Sequence, residues 1–374
     1  MNISRRLLVF ALSVTVLTTV SPIYHGASAQ VPSMPPVRYV ETNGIRMAVY
    51  EAGSGPAIVL LHGFPELAHS WRNQIPVLVD AGYHVIAPDL RGYGLTDRPA
   101  AVEDYDLAHL MDDLVGLLDA LDIEQAVWMG HDWGGILAWQ MPLFHPSRSQ
   151  GVISVGTPHI PHWQFWLQPE LIAGLAPEGF VPDPLADPVQ QMRQVYSSDM
   201  YVLMMLDGDE GDRLLALDPS RSFRSMVRKN VIAPDDYFSL PAEYRQMAFY
   251  TPLGSPEGAL LGEDILTDDE LAFFAASFTR TTFTPAANWY RNLSRNWEAG
   301  LTVDQTVRVP SLMIAASDDV VFTPRMAEGM HEHVPDLEVV VVAGAGHWTQ
   351  IEKPQEVNEA ALAWLAKRFP TTTR

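Results

Sequence analysis

Gly130-His131-Asp132-Trp133-Gly134-Gly135 follows the apolar run Ala126-Val127-Trp128-Met129 and precedes a helix-like segment that begins near Ile136. Small residues at this spacing between a strand and a helix predict a nucleophile elbow, a turn so tight that its flanking side chains must be tiny. Serine is the usual occupant of the middle position, but this chain has Asp132 there. That difference changes the chemistry. A serine attacking an sp³ carbon leaves an ether, which water does not readily cleave. A carboxylate leaves an ester, which an activated water hydrolyses. The stretch therefore points to displacement at carbon rather than acyl transfer.

Outward from the elbow, strand and helix patterns alternate. Residues 37–40 and 45–50 pair around Asn43-Gly44, a hairpin signal because both positions tolerate positive φ. Residues 57–61 are continuously apolar, as in a strand covered on both faces. Residues 84–88 form the next strand, 106–121 carry apolar side chains at helical spacing, and 126–129 and 151–155 are strands again. This rhythm predicts a parallel sheet with helices on both faces. It breaks near Pro158, where prolines crowd the chain to Pro188 and helical patterns run on to Asn296. Strands resume at 311–315 and 337–342, and an amphipathic helix at 357–368 closes the chain. The expected fold is α/β, a mostly parallel sheet of about eight strands interrupted by a helical insertion. Its parts are a core at 37–157, a helical cap at 158–300 and a second core portion at 301–374.

The 374 residues, 47% of them hydrophobic, suffice for one large core with a cap. With 24 basic against 45 acidic residues, the formal charge is -21, which disfavours nucleic acid and anionic lipid as partners. There is no cysteine, so disulfides, thiolate metal sites and a cysteine nucleophile are excluded. Arg5-Arg6, the apolar run from Leu7 to Val20 and Ala27-Ser28-Ala29 read as a cleaved export signal over 1–29, with a proline-rich linker at 30–36. The run is short for a membrane span, which needs about 20 residues. Ser4-Arg5-Arg6 leaves the Sec and twin-arginine routes both open. The expected protein is exported, periplasmic or secreted, off the membrane after cleavage, and a monomer or homodimer.

Three chemical groups sit where strands end: Asp132, the pair Asp318-Asp319 and His347. Active groups of open parallel sheets collect at those carboxyl edges. A histidine there serves as base toward water, and an aspartate fixes its tautomer. Spacing does not choose between Asp318 and Asp319. His62-Gly63-Phe64-Pro65 follows the third strand, and the N–H groups of Phe64 and Trp133 are candidates for an oxyanion hole over Asp132.

Together with Asn288-Trp289-Tyr290-Arg291-Asn292 and Gly346-His347-Trp348-Thr349-Gln350, these motifs resemble the soluble epoxide hydrolases of the α/β-hydrolase superfamily, from about Val37 to the closing helix. The resemblance implies a triad of nucleophile Asp132, acid Asp319 and base His347, with no metal or organic cofactor. It also implies two cap tyrosines that hold the epoxide oxygen. Tyr290 matches the second. Tyr201 is aligned with the first, although Met205-Leu206-Asp207-Gly208-Asp209 departs from the usual Phe-Gln-x-Pro-Gly, and Tyr196 is the substitute. The implied reactants are a small apolar epoxide and water, with Phe64, Trp133, Trp166, Met205 and Trp289 expected to bind the substrate.

The tyrosines also suit the chemistry on their own terms. An opening epoxide releases an alkoxide, so an acid must donate, and a phenol with pKa near ~10 does so while staying protonated at neutral pH. A haloalkane or haloacid dehalogenase, which needs N–H donors such as indoles instead, is the alternative. A non-catalytic binding protein on the same scaffold is the other.

Overall fold

The structure, a computed structural model, describes residues 34–248, 250–254 and 260–371. The segment read as an export signal lies outside the described residues. Eight strands form one sheet: β1 (Val37–Thr42), β2 (Ile45–Ala52), β3 (Ala57–Leu61), β4 (His84–Pro88), β5 (Ala126–His131), β6 (Ser149–Val155), β7 (Ser311–Ala316) and β8 (Leu337–Val342). Their spatial order is β1-β2-β4-β3-β5-β6-β7-β8. The β1–β2 hairpin turns at Asn43 and Gly44, both at positive φ, and pairs antiparallel to β4 through β2. From β4 to β8 every pairing is parallel.

Alternation along the strands splits the interior into two layers. Ile58, Leu60, Val127, Met129, Leu312 and Ile314 face one side, where α1 (Ile75–Asp80) and the closing helix pack. Val59, Leu61, Trp128 and Met313 face the other, toward α2 (Leu107–Ala120) and α3 (Trp133–Phe144). Asp106 caps α2 by accepting the His109 amide. Strand β8 covers the run expected at 337–342. It is the edge strand, and Val339, Val340 and Val341 are exposed.

Between β6 and β7 the described residues hold helices and turns, with one isolated bridge between Arg228 and Asp264. The helices are α4 (Pro169–Ile172), α5 (Pro188–Val195), α6 (Tyr201–Leu206), α7 (Glu210–Leu217), α8 (Pro219–Met226), α9 (Pro234–Ser239), α10 (Asp268–Thr281), α11 (Thr284–Arg291) and α12 (Leu293–Gly300). Proline opens several of them, where a missing N–H costs nothing. After β8, α13 (Thr349–Glu352) and α14 (Pro354–Arg368) complete the chain. The loops after β3, β5, β7 and β8 open on one edge of the sheet, which brings four distant segments together.

Candidate active site

The elbow depends on backbone contact. A Cβ on Gly130 would stand 2.1 Å from the Gly134 carbonyl oxygen, and one on Gly134 would stand 2.0 Å from that of Leu61. Only glycine lets β5, β3 and the start of α3 approach this closely. Asp132, at the apex, takes φ 51° and ψ −122°, a conformation costly for a non-glycine residue. It is held there partly by the Thr157 hydroxyl, which donates to the Asp132 carbonyl oxygen at 3.1 Å.

Around the Asp132 carboxyl the expected groups converge. The Phe64 amide donates to Oδ1 at 2.8 Å, and the Trp133 amide is the next along the chain, at the first turn of α3. Gly63 allows this approach, because a Cβ there would lie 2.4 Å from that of Asp132. His347 Nε2 stands 3.8 Å from Asp132 Oδ2, and its Nδ1 is 3.0 Å from Asp319 Oδ2. Asp319 is fully buried, and its other oxygen accepts the amides of Val321 and Phe322 at 2.7 and 3.1 Å. Asp318 turns away and accepts from the Ser317 hydroxyl. The geometry thus separates two aspartates that spacing left equivalent. His62 stays in the scaffold: its Nε2 accepts the Leu90 amide and its Nδ1 meets the Gly63 carbonyl oxygen. Burial keeps its pKa low.

Burial also pushes the His347 imidazole down, but the charges of Asp319, Asp132 and Glu66 outweigh it and raise the pKa from 6.5 to about 9. The resting site therefore favours an imidazolium beside two carboxylates. Once the Asp132 charge is removed by ester formation, one of the three supports disappears and the ring becomes a better proton acceptor.

Glu66 and His131 form a buried pair that sequence reading missed. Glu66 Oε2 accepts from the Gly63 amide at 2.7 Å and lies 2.8 Å from His131 Nδ1, and its Oε1 accepts from Gln350 Nε2 at 2.7 Å. The other ring nitrogen of His131 lies 2.8 Å from the His347 carbonyl oxygen. Both ring nitrogens are thus held, one by a carboxylate and one by a backbone carbonyl. Burial opposes a charged Glu66, but the neighbouring imidazole of His131 overrides it and holds the carboxyl below its usual range. The pair locks the His-Gly-Phe-Pro loop to the segment carrying His347. The only trace of it in sequence is a glutamate directly after Pro65.

A cavity of about 270 Å³ opens on these groups. Asp132, His347, Tyr201 and Tyr290 all line it. The two phenol rings stand 6.1 Å apart at 80°. Burial, then the Tyr201 and Asp132 charges, pushes the Tyr290 hydroxyl well above its ordinary pKa. Burial and Asp132 do the same for Tyr201. Both therefore stay protonated and able to donate. Tyr196, the substitute, has its hydroxyl on the Trp166 carbonyl oxygen at 2.7 Å and does not line the cavity.

Phe64 and Met205 line the cavity as expected, but Trp133, Trp166 and Trp289 stand behind its wall. The reason is that each is tied elsewhere. Trp289 donates its indole N–H to the Arg91 carbonyl oxygen at 3.1 Å, and Trp166 donates to the Tyr201 hydroxyl at 3.1 Å. Trp133 packs edge-on against Tyr290 at 5.1 Å. The rest of the Asn-Trp-Tyr-Arg-Asn segment anchors α11. Arg291 pairs with Asp212 at 2.9 Å, and Asn292 donates to the Val102 carbonyl oxygen at 2.7 Å.

A buried carboxylate nucleophile, an acid-paired histidine and two protonated phenols lining one cavity can displace at carbon, protonate a leaving oxygen and hydrolyse the resulting ester. The chain is similar to known hydrolases. A family model described as alpha/beta hydrolase fold matches residues 56–354. Epoxide hydrolase A of Mycobacterium tuberculosis (strain ATCC 25618 / H37Rv) is 40% identical over 343 residues, covering 88% of this chain and 97% of that one. Bifunctional epoxide hydrolase 2 of Rattus norvegicus is 36% identical over 323 residues, 86% of this chain and 54% of that protein. Among solved structures, epoxide hydrolase A from Mycobacterium thermoresistibile superposes with a TM-score of 0.72 at 37% identity, covering 88% of this chain and 98% of that one.

Proposed function

The chain belongs to the epoxide hydrolases of the alpha/beta hydrolase fold, and from that premise we propose how its own residues open an epoxide to a vicinal diol. Asp132 attacks a ring carbon from behind while Tyr290 and Tyr201 donate to the ring oxygen. The C–O bond breaks, a phenol proton passes to the departing oxygen, and an alkyl ester forms on Asp132. His347, oriented by Asp319, then takes a proton from water as that water adds to the Asp132 carboxyl carbon. The amides of Phe64 and Trp133 steady the tetrahedral oxyanion, its collapse frees the diol and restores the carboxylate, and the proton taken by His347 replaces the one the phenol gave up, so acid and base are both reset. The observation that carries this reading is that Asp132, the acid-paired His347 and two phenols held protonated by burial line a single cavity. A halide would instead need indole donors, and that of Trp289 is committed to Arg91.

The test is direct. A His347→Gln variant incubated with styrene oxide should accumulate a protein adduct heavier by one epoxide, mapped by mass spectrometry to the peptide carrying Asp132. Absence of that adduct in a variant that still binds substrate refutes the two-step scheme. An Asp132→Ala control should show neither adduct nor turnover in a screen of aromatic, aliphatic and fatty epoxides alongside haloalkanes.

The cavity's apolar lining from Phe64, Met205 and Leu215 supports a small apolar epoxide as substrate. Residues 158–300 are proposed as a cap covering a core built from 37–157 and 301–374. Arg5-Arg6, the apolar run and Ala27-Ser28-Ala29 support export with loss of 1–29. The amino terminus of the exported protein should then read Gln30-Val31, and a chain that keeps Met1 would remove that reading.

A further inference from the structure

Trp166 lies outside the cavity wall, yet it is bonded on both sides to tyrosines of the cap. Its carbonyl oxygen accepts from the Tyr196 hydroxyl at 2.7 Å, and its indole Nε1 donates to the Tyr201 hydroxyl at 3.1 Å. The side chain is 4% exposed, with Phe165 packed edge-on at 6.0 Å. An indole has one N–H and no acceptor, so the direction of its bond to Tyr201 is fixed. A phenol oxygen that accepts on one side keeps its own hydrogen for donation on another.

We infer that Trp166 is a positioning residue for ring opening: its indole N–H aims the Tyr201 proton into the cavity and takes up charge as that proton leaves. The inference rests on the proposed role of Tyr201 and extends it to a group that never touches substrate. Tyr196 belongs to the same chain of bonds. It pins the Trp166 backbone so that the indole cannot swing away from α6. The effect falls on the first chemical step, where the alkoxide is protonated, and not on ester hydrolysis, which uses His347 and the amides. Burial disfavours a phenolate at Tyr201, and the indole bond is a local influence in the opposite direction.

Rapid-quench kinetics on the full chain with styrene oxide separate the two steps. Trp166→Phe keeps an aromatic ring and removes the donor, and the benzothiophene isostere of tryptophan at 166 keeps the bicycle as well. Both should slow formation of the alkyl-enzyme roughly three- to tenfold, the value of one neutral hydrogen bond, and leave ester decay unchanged. In a Tyr201→Phe background neither replacement should slow it further. An additive loss, an equal loss in both steps, or no loss with the isostere overturns the inference. Unchanged ring opening in Tyr201→Phe alone would instead remove the role of Tyr201, and the inference with it.

Discussion

At the scale of single residues, the proposed mechanism requires three acids in different states. Asp132 needs its charge to attack, Tyr290 needs its proton to donate, and His347 must change state between steps. The imidazole sits at about 9 because carboxylates outweigh its burial. Esterification removes the Asp132 charge, so the acid limb of ester decay should lie below pH 9 and rise as His347 loses its proton. Asp319→Asn removes another carboxylate. It should move that limb lower still, and it should slow decay roughly 10²–10⁴-fold, because the ring is no longer held in the right tautomer. Single-turnover decay measured against pH checks both, and a limb that moves upward contradicts the electrostatic account. Tyr290→Phe should cut ring opening by roughly 10²–10⁴ while leaving ester decay intact. Rapid-quench assays with styrene oxide separate the two steps, and unchanged ring opening contradicts the role of Tyr290. Asp132 and His347 were legible because glycine framing and strand-end placement act locally. Neither Asp318 against Asp319 nor Tyr196 against Tyr201 could be decided by spacing, because each choice depends on where a side chain points.

At the scale of elements, the sheet and the helical character of the insertion were legible, and the side chains with which the insertion lines the cavity were not. Strands β3, β5 and β7 read as apolar runs because both their faces are covered, and the Asn43-Gly44 turn fixed the hairpin register. Strand β8 has the same composition but sits at the edge, a position that no local pattern reveals. Hydrophobicity alone did not say which aromatic side chains line the cavity: Trp166 and Trp289 of the insertion, and Trp133 of α3, are absent from its wall, and the indoles of Trp166 and Trp289 are bonded elsewhere. The insertion is also tied to the sheet portion by a buried ion pair. Arg72, after the short helix Ala68–Trp71, lies 2.5 Å from Glu270 at the start of α10, with side chains 3% and 7% exposed. Glu270 also closes a capping box with Thr267. Glu270→Gln leaves Arg72 buried without its counter-charge and should cost about 3–5 kcal/mol. Thermal and urea unfolding of the variant should show that loss, and an unchanged midpoint contradicts the assignment of the pair as a clamp.

At the scale of the whole molecule, four segments far apart in sequence meet at one sheet edge. The pair Glu66–Gln350 joins residues 284 positions apart, and Glu66 also meets His131. Such long-range polar ties have no signature in composition or periodicity, so the support behind the triad emerged only with the fold. The formal charge of -21 is a property of the surface as a whole and suits a neutral reactant better than an anionic one. The central claim is that an oxygen of Asp132 ends in the product. A single turnover in heavy-oxygen water with enzyme in excess tests it, followed by mass analysis of the diol and of the peptide carrying Asp132. The account predicts label in the Asp132 carboxyl and none in the first diol released; label in that diol with an unlabelled Asp132 would mean that water attacks the epoxide directly.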